Sequence, residues 1–198
     1  EVVELYRALD TRQKIQDIYK EKLSDGLKDG TITNEDLSVM QEVIDDEGET
    51  HDHIDHLDMR FKLFVGTGIG KGKVPKHNDE LQKINDEWVN ICKEANLWEI
   101  MACHCAIEGW YPAVSTMFET EYRKRGFTDK ELEIFIAHQG ADVEHSDAQY
   151  AILDKNYDIL DPAKIEQMVK RTFETSKAYE QMKLKLATSD KPLDQFFS

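Results

Sequence analysis

Two histidines and an aspartate stand close together in the segment IAHQGADVEHSD, namely His138, Asp142 and His145. On an α-helix, which turns about 100° per residue, Asp142 lies about 40° to one side of His138 and His145 about 20° to the other. Apolar neighbours such as Ile134 and Phe135 indicate that this stripe faces the protein interior. Such groups are costly to bury unless they are paired or bind a metal ion. We interpret the stripe as metal ligands, with a solvated polar surface as the alternative.

A second helix region supplies a further carboxylate. Glu108 is the only charged residue in the segment MACHCAIEGWYP, which otherwise consists mostly of small and apolar residues. Metal sites in helical bundles take their ligands from several facing helices. We therefore favour Glu108 as a buried ligand over the alternative of a charge at the helix surface.

Three histidines, His51, His53 and His56, fall within six residues of an acidic stretch. If a helix restarts after Gly48, His53 lies nearest to the apolar face that follows, and the other two point away from it. His53 is therefore the best inward-facing histidine of the three. We expect His51 and His56 to be solvated.

The carboxylate that accompanies His53 has three candidates. Asp46 precedes His53 by two helical turns, Glu49 precedes it by one turn, and Glu47 lies between them. The glycine at position 48 makes the helical phase uncertain, so the choice stays open. Nitrogen and oxygen ligands without thiolates suit iron or manganese better than structural zinc. More than four such ligands suit a pair of metal ions.

The elements that must position these residues are helices. Apolar residues recur at spacings of three and four along most of the chain, and no stretch shows sustained strand-like alternation. Thr33, Thr128 and Asp161 have the residue types and neighbours of helix N-caps. We predict an all-α protein whose residues 1–198 form one bundle of about seven helices. The expected helices include one that follows Thr33 and is interrupted at Gly48, and one with Ile54, Leu57, Phe61 and Phe64 on one face. The others cover about residues 2–23, 79–95, 97–125, 128–153 and 161–187, with a loop at 66–78.

Composition excludes several classes of partner. The 198 residues carry 40 Asp and Glu against 25 Lys and Arg, a net charge of −15. Such an acidic chain repels phosphate, so we expect neither nucleic acid nor a membrane as a partner. The 3 cysteines do not make a disulfide framework, and the charged segment EVVELYRALD does not resemble a secretion signal. We therefore expect a cytoplasmic location.

The order of these candidate ligands resembles that of a known enzyme family. The chain resembles the haem-oxygenase-like non-haem diiron oxidases and oxygenases over roughly residues 43–150. The resemblance is carried by an acid with His53, then Glu108, and then the His-x3-Asp-x2-His motif that begins at His138. This family shares its fold with the TenA and PqqC proteins. Asp46 has the spacing to His53 that the family shows, with Asp in place of Glu, whereas Glu47 has the expected residue type one position closer.

The resemblance implies a haem-oxygenase-like bundle that binds two iron ions and uses O2 as co-substrate. Enzymes of this kind oxidise a small organic substrate by N-oxygenation, desaturation or C–C or C–N cleavage, through a peroxo-diferric intermediate. We expect an amino acid or a derivative as the substrate, and a homodimer is possible. The resemblance implies that His53, Glu108 and His145 hold one iron, and that Glu108 also bridges to the second. The second iron would then be held by Asp46 or Glu47, His138 and Asp142.

Two other functions remain open at this point. A thiaminase-like TenA hydrolase would use a cysteine nucleophile, for which Cys105 is the candidate because it lies one turn before Glu108. A non-enzymatic acidic helical bundle would serve as an interaction module. Neither alternative needs the histidine and aspartate stripe. A cofactorless PqqC-like oxidase, in turn, would leave the carboxylates without a role.

Overall fold

The computed structural model describes residues 2–46, 59, 62–63 and 79–187 of the chain. All regular structure in these residues is helical, which confirms the all-α prediction for this part of the chain. Within the described residues, six α-helices have 13 residues or more and one has six. The helices are α1 (Val2–Asp29), α2 (Asn34–Asp46), α3 (Asp79–Glu94), α4 (Leu97–Arg123), α5 (Glu133–His138), α6 (Ala141–Lys155) and α7 (Pro162–Ala187), with a 3-10 turn at Tyr157–Ile159.

Helix α4 lies at the centre of the bundle. It packs along α6 and α7, and it also contacts α1 and α5. Around it, α1 packs against α2 and α3, and α3 packs against α7. Residues on several sides of α4 are therefore removed from water, including all seven from Leu97 to Cys103.

Two apolar clusters fill the core. One joins α1 to α4 and α7 through side chains that include Tyr19, Met101 and Met168. The other surrounds Phe118 in the second half of α4 and includes Phe135 of α5. Glu108 lies on α4 between the residues that belong to the first cluster and those that belong to the second. The polar group at this position therefore has apolar packing on both sides along the helix.

Most of the predicted helix ends are confirmed. The Thr33 hydroxyl accepts a hydrogen bond from Asp36 N at 3.2 Å, and the Asp36 carboxylate accepts one from Thr33 N at 2.9 Å. These two bonds form the expected reciprocal cap at the start of α2. Asp161 caps α7, because its Oδ1 accepts hydrogen bonds from the backbone of Ala163 and Lys164, both at 3.1 Å. Gly126, with φ of 87°, follows the end of α4 as expected.

The prediction of one continuous helix over 128–153 is wrong. Thr128 N does donate to Glu131 Oε2 at 2.7 Å, but turns follow and α5 begins only at Glu133. A second turn at residues 139–140 separates α5 from α6. Gly140 has a low helix propensity, and the Gln139 side chain donates to Glu119 of α4 at 2.5 Å, which favours a turn here. His138 therefore lies on a different helix from Asp142 and His145.

Helix α1 continues beyond the predicted end at residue 23. It passes through Gly26 and ends before Gly30, whose φ of 78° suits a glycine. A Cβ atom at Gly26 would lie 3.3 Å from the side chain of Ile32 and 3.5 Å from that of Leu97. The glycine in the helix interior is therefore explained by close packing against neighbouring residues.

Asp36 provides a test of the packing between α2 and α6. The side chain is 2% exposed, and it accepts hydrogen bonds from Thr33 and, at 3.4 Å, from the Asn156 amide. Burial alone raises the pKa of this carboxyl, but the hydrogen bonds from Thr33 and Asn156 and the charge of Lys155 hold the pKa below its usual value. We expect Asp36→Ala to lower the free energy of unfolding by about 1–2 kcal/mol at pH 7, measured by urea denaturation.

The pH dependence of that difference follows from the lowered pKa. A carboxyl whose pKa is lower in the folded state contributes stability above its unfolded pKa of about 3.9, and the contribution is lost as the pH falls through the folded pKa. The gap between wild type and Asp36→Ala is therefore expected to shrink in acid. Ser38→Ala, an exposed change in the same helix, is the control and should stay within about 0.5 kcal/mol of wild type. An equal loss in both variants would contradict the interpretation.

Candidate metal centre

Three of the predicted ligands meet between α4 and α6. Glu108 of α4 and Asp142 and His145 of α6 each offer one ligand atom, and these atoms all lie within 4.8 Å of one another. Glu108 is 7% exposed and Asp142 is 3% exposed, whereas His145 is half-buried. Two carboxylates and an imidazole are therefore gathered in a place where water is largely excluded.

One contact within this cluster joins the two helices. Nδ1 of His145 lies 3.5 Å from Oε1 of Glu108. Two ligand atoms on one metal ion can be separated by at most twice the bond length, roughly 4.4 Å for a small divalent ion. The atoms of Glu108, Asp142 and His145 would need to move inward by only a few tenths of an ångström to bind a single ion.

A close approach between α4 and α6 places Glu108 beside the other two ligands. A Cβ atom at Gly109 would lie only 3.0 Å from Oγ of Ser146. The Ser146 hydroxyl donates to the carbonyl of Cys105 at 3.1 Å, and the Cys105 thiol donates to the carbonyl of Ser146 at 3.4 Å. The small residues at positions 109 and 146 thus bring the two backbones together one residue away from Glu108 and His145.

Two further polar residues contact Glu108, and the sequence analysis did not identify them. Gln149, which is 2% exposed, donates from Nε2 to Oε2 of Glu108 at 2.5 Å. Nδ1 of His104 lies 3.2 Å from the same oxygen and 3.3 Å from Oε1 of Gln149. Helical spacing could have identified both residues, because residues four apart lie on the same face of a helix. His104 lies four residues before Glu108, and Gln149 lies four residues after His145.

The residues present fit a divalent metal ion. Buried carboxylates are normally hydrogen-bonded, paired with a positive charge or bound to a metal ion. Here two nearly buried carboxylates converge with an imidazole, and nitrogen and oxygen donors of this kind suit iron or manganese. The cluster of Glu108, Asp142 and His145 could therefore hold one metal ion.

His138 does not belong to this cluster. It lies at the end of α5, where its Nδ1 is 2.5 Å from the carbonyl oxygen of Ile134 and its ring meets the edge of Tyr111 at a centroid distance of 5.6 Å. Donation from Nδ1 to a carbonyl makes Nε2 the basic nitrogen, as is usual for metal-binding histidines. The turn at residues 139–140 separates His138 from the two α6 ligands.

The remaining predicted ligands are not tested by this structure. Asp46 is the last residue of α2, and its side chain lies outside the described ones. Glu47, Glu49 and His53 lie outside the described residues, as do His51 and His56. The second half of the proposed ligand set therefore stays a prediction.

A buried tyrosine also lies close enough to the site to interact with it electrostatically. The hydroxyl of Tyr19 on α1 is buried and has no hydrogen-bond partner among the described residues. Burial raises the pKa of Tyr19 well above its usual value, and the nearby acidic groups of Cys92 and Glu108 raise it further. The phenol therefore stays neutral and retains an unused hydrogen-bond donor near Glu108.

The cysteines are in environments that favour the thiol. Burial raises the pKa of Cys105, and the nearby negative charges of Glu108 and Asp147 add to this effect. Burial likewise raises the pKa of Cys92 to about 11. Because the thiolate is the nucleophilic form, these shifts give no support to cysteine-based catalysis.

In comparisons with known proteins, the chain matches no family model, no curated protein and no solved structure. Among the described helices, none has the length and apolar character needed to cross a lipid bilayer.

Proposed function

We propose that this protein is a non-haem diiron oxidase or oxygenase that uses O2 to modify a small organic substrate. The observation that carries the proposal is the convergence of Glu108, Asp142 and His145 in a nearly buried cluster. This convergence supports the ligand motif, because these residues come from two separate parts of the sequence. The haem-oxygenase-like family assignment and the second iron remain parts of the proposal.

The chain's own residues have distinct roles in this proposal. Glu108, Asp142 and His145 bind one metal ion, which differs from the partition implied by the family resemblance, in which Asp142 binds the second iron. Gln149 and His104 satisfy the other oxygen of Glu108. His138, His53 and Asp46 or Glu47 complete the ligands that the family resemblance implies. When bound, the iron ions would supply the electrons and the open coordination positions for O2 chemistry. The apolar packing on both sides of Glu108 limits the access of water.

The proposed substrate is an amino acid or a derivative of one. This choice follows from the family resemblance and from the aromatic residues near the ligand helices. Two of these, Trp110 and Phe173, have ring centroids 4.9 Å apart, and Trp88 packs against Tyr179 at 5.2 Å. Because these rings pack against each other, they support the stability of the bundle as well as any substrate pocket.

The proposal is tested by iron titration in the absence of oxygen. We expect the full-length chain to bind about two equivalents of Fe2+, and then to consume O2 when air and a substrate amino acid are added. Calorimetry measures the bound iron. An oxygen electrode measures O2 uptake with each of the common amino acids in turn. Each amino acid is also assayed without iron, where no uptake is expected.

Two variants separate a specific site from general attraction to an acidic chain. Glu108→Gln removes a proposed ligand, whereas Glu121→Gln changes an acid in the last turns of the same helix, away from the cluster. We expect iron binding to fall sharply in the first variant and to stay at the wild-type level in the second. Equal binding in both variants would contradict the site. Iron binding without O2 uptake would favour the non-enzymatic alternative.

A further inference from the structure

The two oxygens of Glu108 have different surroundings. Oε2 accepts the hydrogen bond from Nε2 of Gln149 at 2.5 Å and lies 3.2 Å from Nδ1 of His104. Oε1 faces the other way, toward Nδ1 of His145 at 3.5 Å. The carboxylate is therefore asymmetric before any metal ion binds, with one oxygen held by the protein and the other directed to the cluster.

Gln149 has little freedom to leave this arrangement. It is among the largest fully buried side chains of the described residues, and its amide is placed between Glu108 and His104. A hydrogen bond from an amide to a carboxylate is stronger than one between neutral groups, and low exposure strengthens it further. Rotation of Glu108 to present both oxygens to a metal ion would break this bond in a site with little water to replace it.

We propose that Gln149, supported by His104, is a positioning residue that limits Glu108 to binding a metal ion through Oε1 alone. This inference rests on the metal site proposed above. It has a consequence for the second ion, because a Glu108 that bridges two ions with one oxygen on each would need Oε2 as well. That mode of bridging competes with the hydrogen bond from Gln149 to Oε2, so Gln149 disfavours it.

The test compares wild type with Gln149→Met, which has a similar length and lacks the donor. Each full-length chain is titrated with Co2+, and binding is followed by calorimetry and by visible absorption. Loss of an outer hydrogen-bond partner of a metal ligand typically weakens binding by about 10–100-fold, and we expect a decrease in this range for the first ion. Gln82→Met is the matched control, because it removes an exposed hydrogen bond from a glutamine to Asp86 on α3.

Infrared difference spectra give a readout that a purely structural role would not change. A carboxylate bound through one oxygen shows a wider separation of its two stretching bands than one bound through both. We expect wild type to show the wide separation on addition of Co2+. The bands are assigned to Glu108 because they should be absent in Glu108→Gln. Gln149→Met is expected to show a narrower separation.

The outcomes distinguish the inference from the function on which it rests. If wild type binds no Co2+, both are overturned. If wild type binds Co2+ and Glu108→Gln does not, while Gln149→Met keeps the wild-type affinity and band separation, only the inference is overturned. If Gln149→Met does not fold, as judged by its melting curve without metal, the half-buried His104→Leu takes its place, with a smaller decrease in affinity expected.

Discussion

Co2+ at a concentration 100 times its Kd is expected to raise the melting temperature of the wild-type chain by about 5–10 °C and to leave that of Glu108→Gln unchanged. An ion that binds only the folded state at this concentration stabilises it by about 2.7 kcal/mol. For a domain of this size, each kcal/mol shifts the melting temperature by about 2–4 °C. Differential scanning calorimetry with and without Co2+ provides the measurement.

The stability of Glu108→Gln in the absence of metal provides a second test of the site. Glu108 and Asp142 are both nearly buried, and their ligand atoms lie within 4.8 Å of each other. Removing one of two like charges at such a distance stabilises the folded state, whereas replacing the charge-assisted hydrogen bond from Gln149 with a neutral one destabilises it. These effects oppose each other, so Glu108→Gln without metal is expected to unfold cooperatively, with a free energy of unfolding within about 2 kcal/mol of that of wild type. A variant that folds in this way and does not respond to Co2+ cannot be explained by misfolding. Equal Co2+ shifts in wild type and Glu108→Gln would contradict the site.

Phe118→Ala is expected to lower the free energy of unfolding by about 3–5 kcal/mol. Phe118 is 0% exposed, and its ring stacks on Phe135 of α5 with a centroid distance of 5.4 Å. The truncation leaves a cavity in the second apolar cluster and removes a contact that holds α5 against α4. Urea denaturation followed by circular dichroism measures the loss. Met117→Ala, an exposed change at the preceding position, is the control and is expected to have a far smaller effect.

The same substitution links the apolar cluster to the position of His138. Phe135 lies on the short helix that ends at His138, so loosening its contact with Phe118 also loosens that histidine. If Phe118→Ala does not fold, Phe118→Leu is expected to show a smaller loss of the same sign. A loss in Phe118→Ala that matches that of Met117→Ala would show that the cluster around Phe118 does not stabilise the bundle.

Local patterns in the sequence predicted the parts of the fold that depend on local interactions. The caps at Thr33 and Asp161 use backbone donors within three residues of the capping side chain, and both are present. The Thr128 and Glu131 pair makes its hydrogen bond too, yet no helix begins there. The turn at residues 139–140 is held partly by a bond from Gln139 to Glu119 on another helix, and sequence periodicity cannot report such a contact.

The sequence likewise predicted part of the candidate site, namely the three ligands that meet, but not the glutamine that contacts them. Glu108 was identified as a single acid in an apolar segment, and Asp142 and His145 were identified by their spacing; the structure places all three together. Gln149 was missed because a neutral amide in a polar helix has no distinctive pattern. Its importance appears only when α6 is packed against α4, which places its donor on Glu108.

The contact between Gly109 and Ser146 also has a consequence for the choice among metal ions. The distance between α4 and α6 at this contact determines how far apart Glu108 and the two α6 ligands can lie. Calcium needs oxygen ligands at about 2.3–2.6 Å, whereas magnesium needs them at about 2.0–2.1 Å, so a fixed helix separation favours ions of one radius over another. A glycine that offers no ligand atom would thereby contribute to the size selectivity of a metal site at this place.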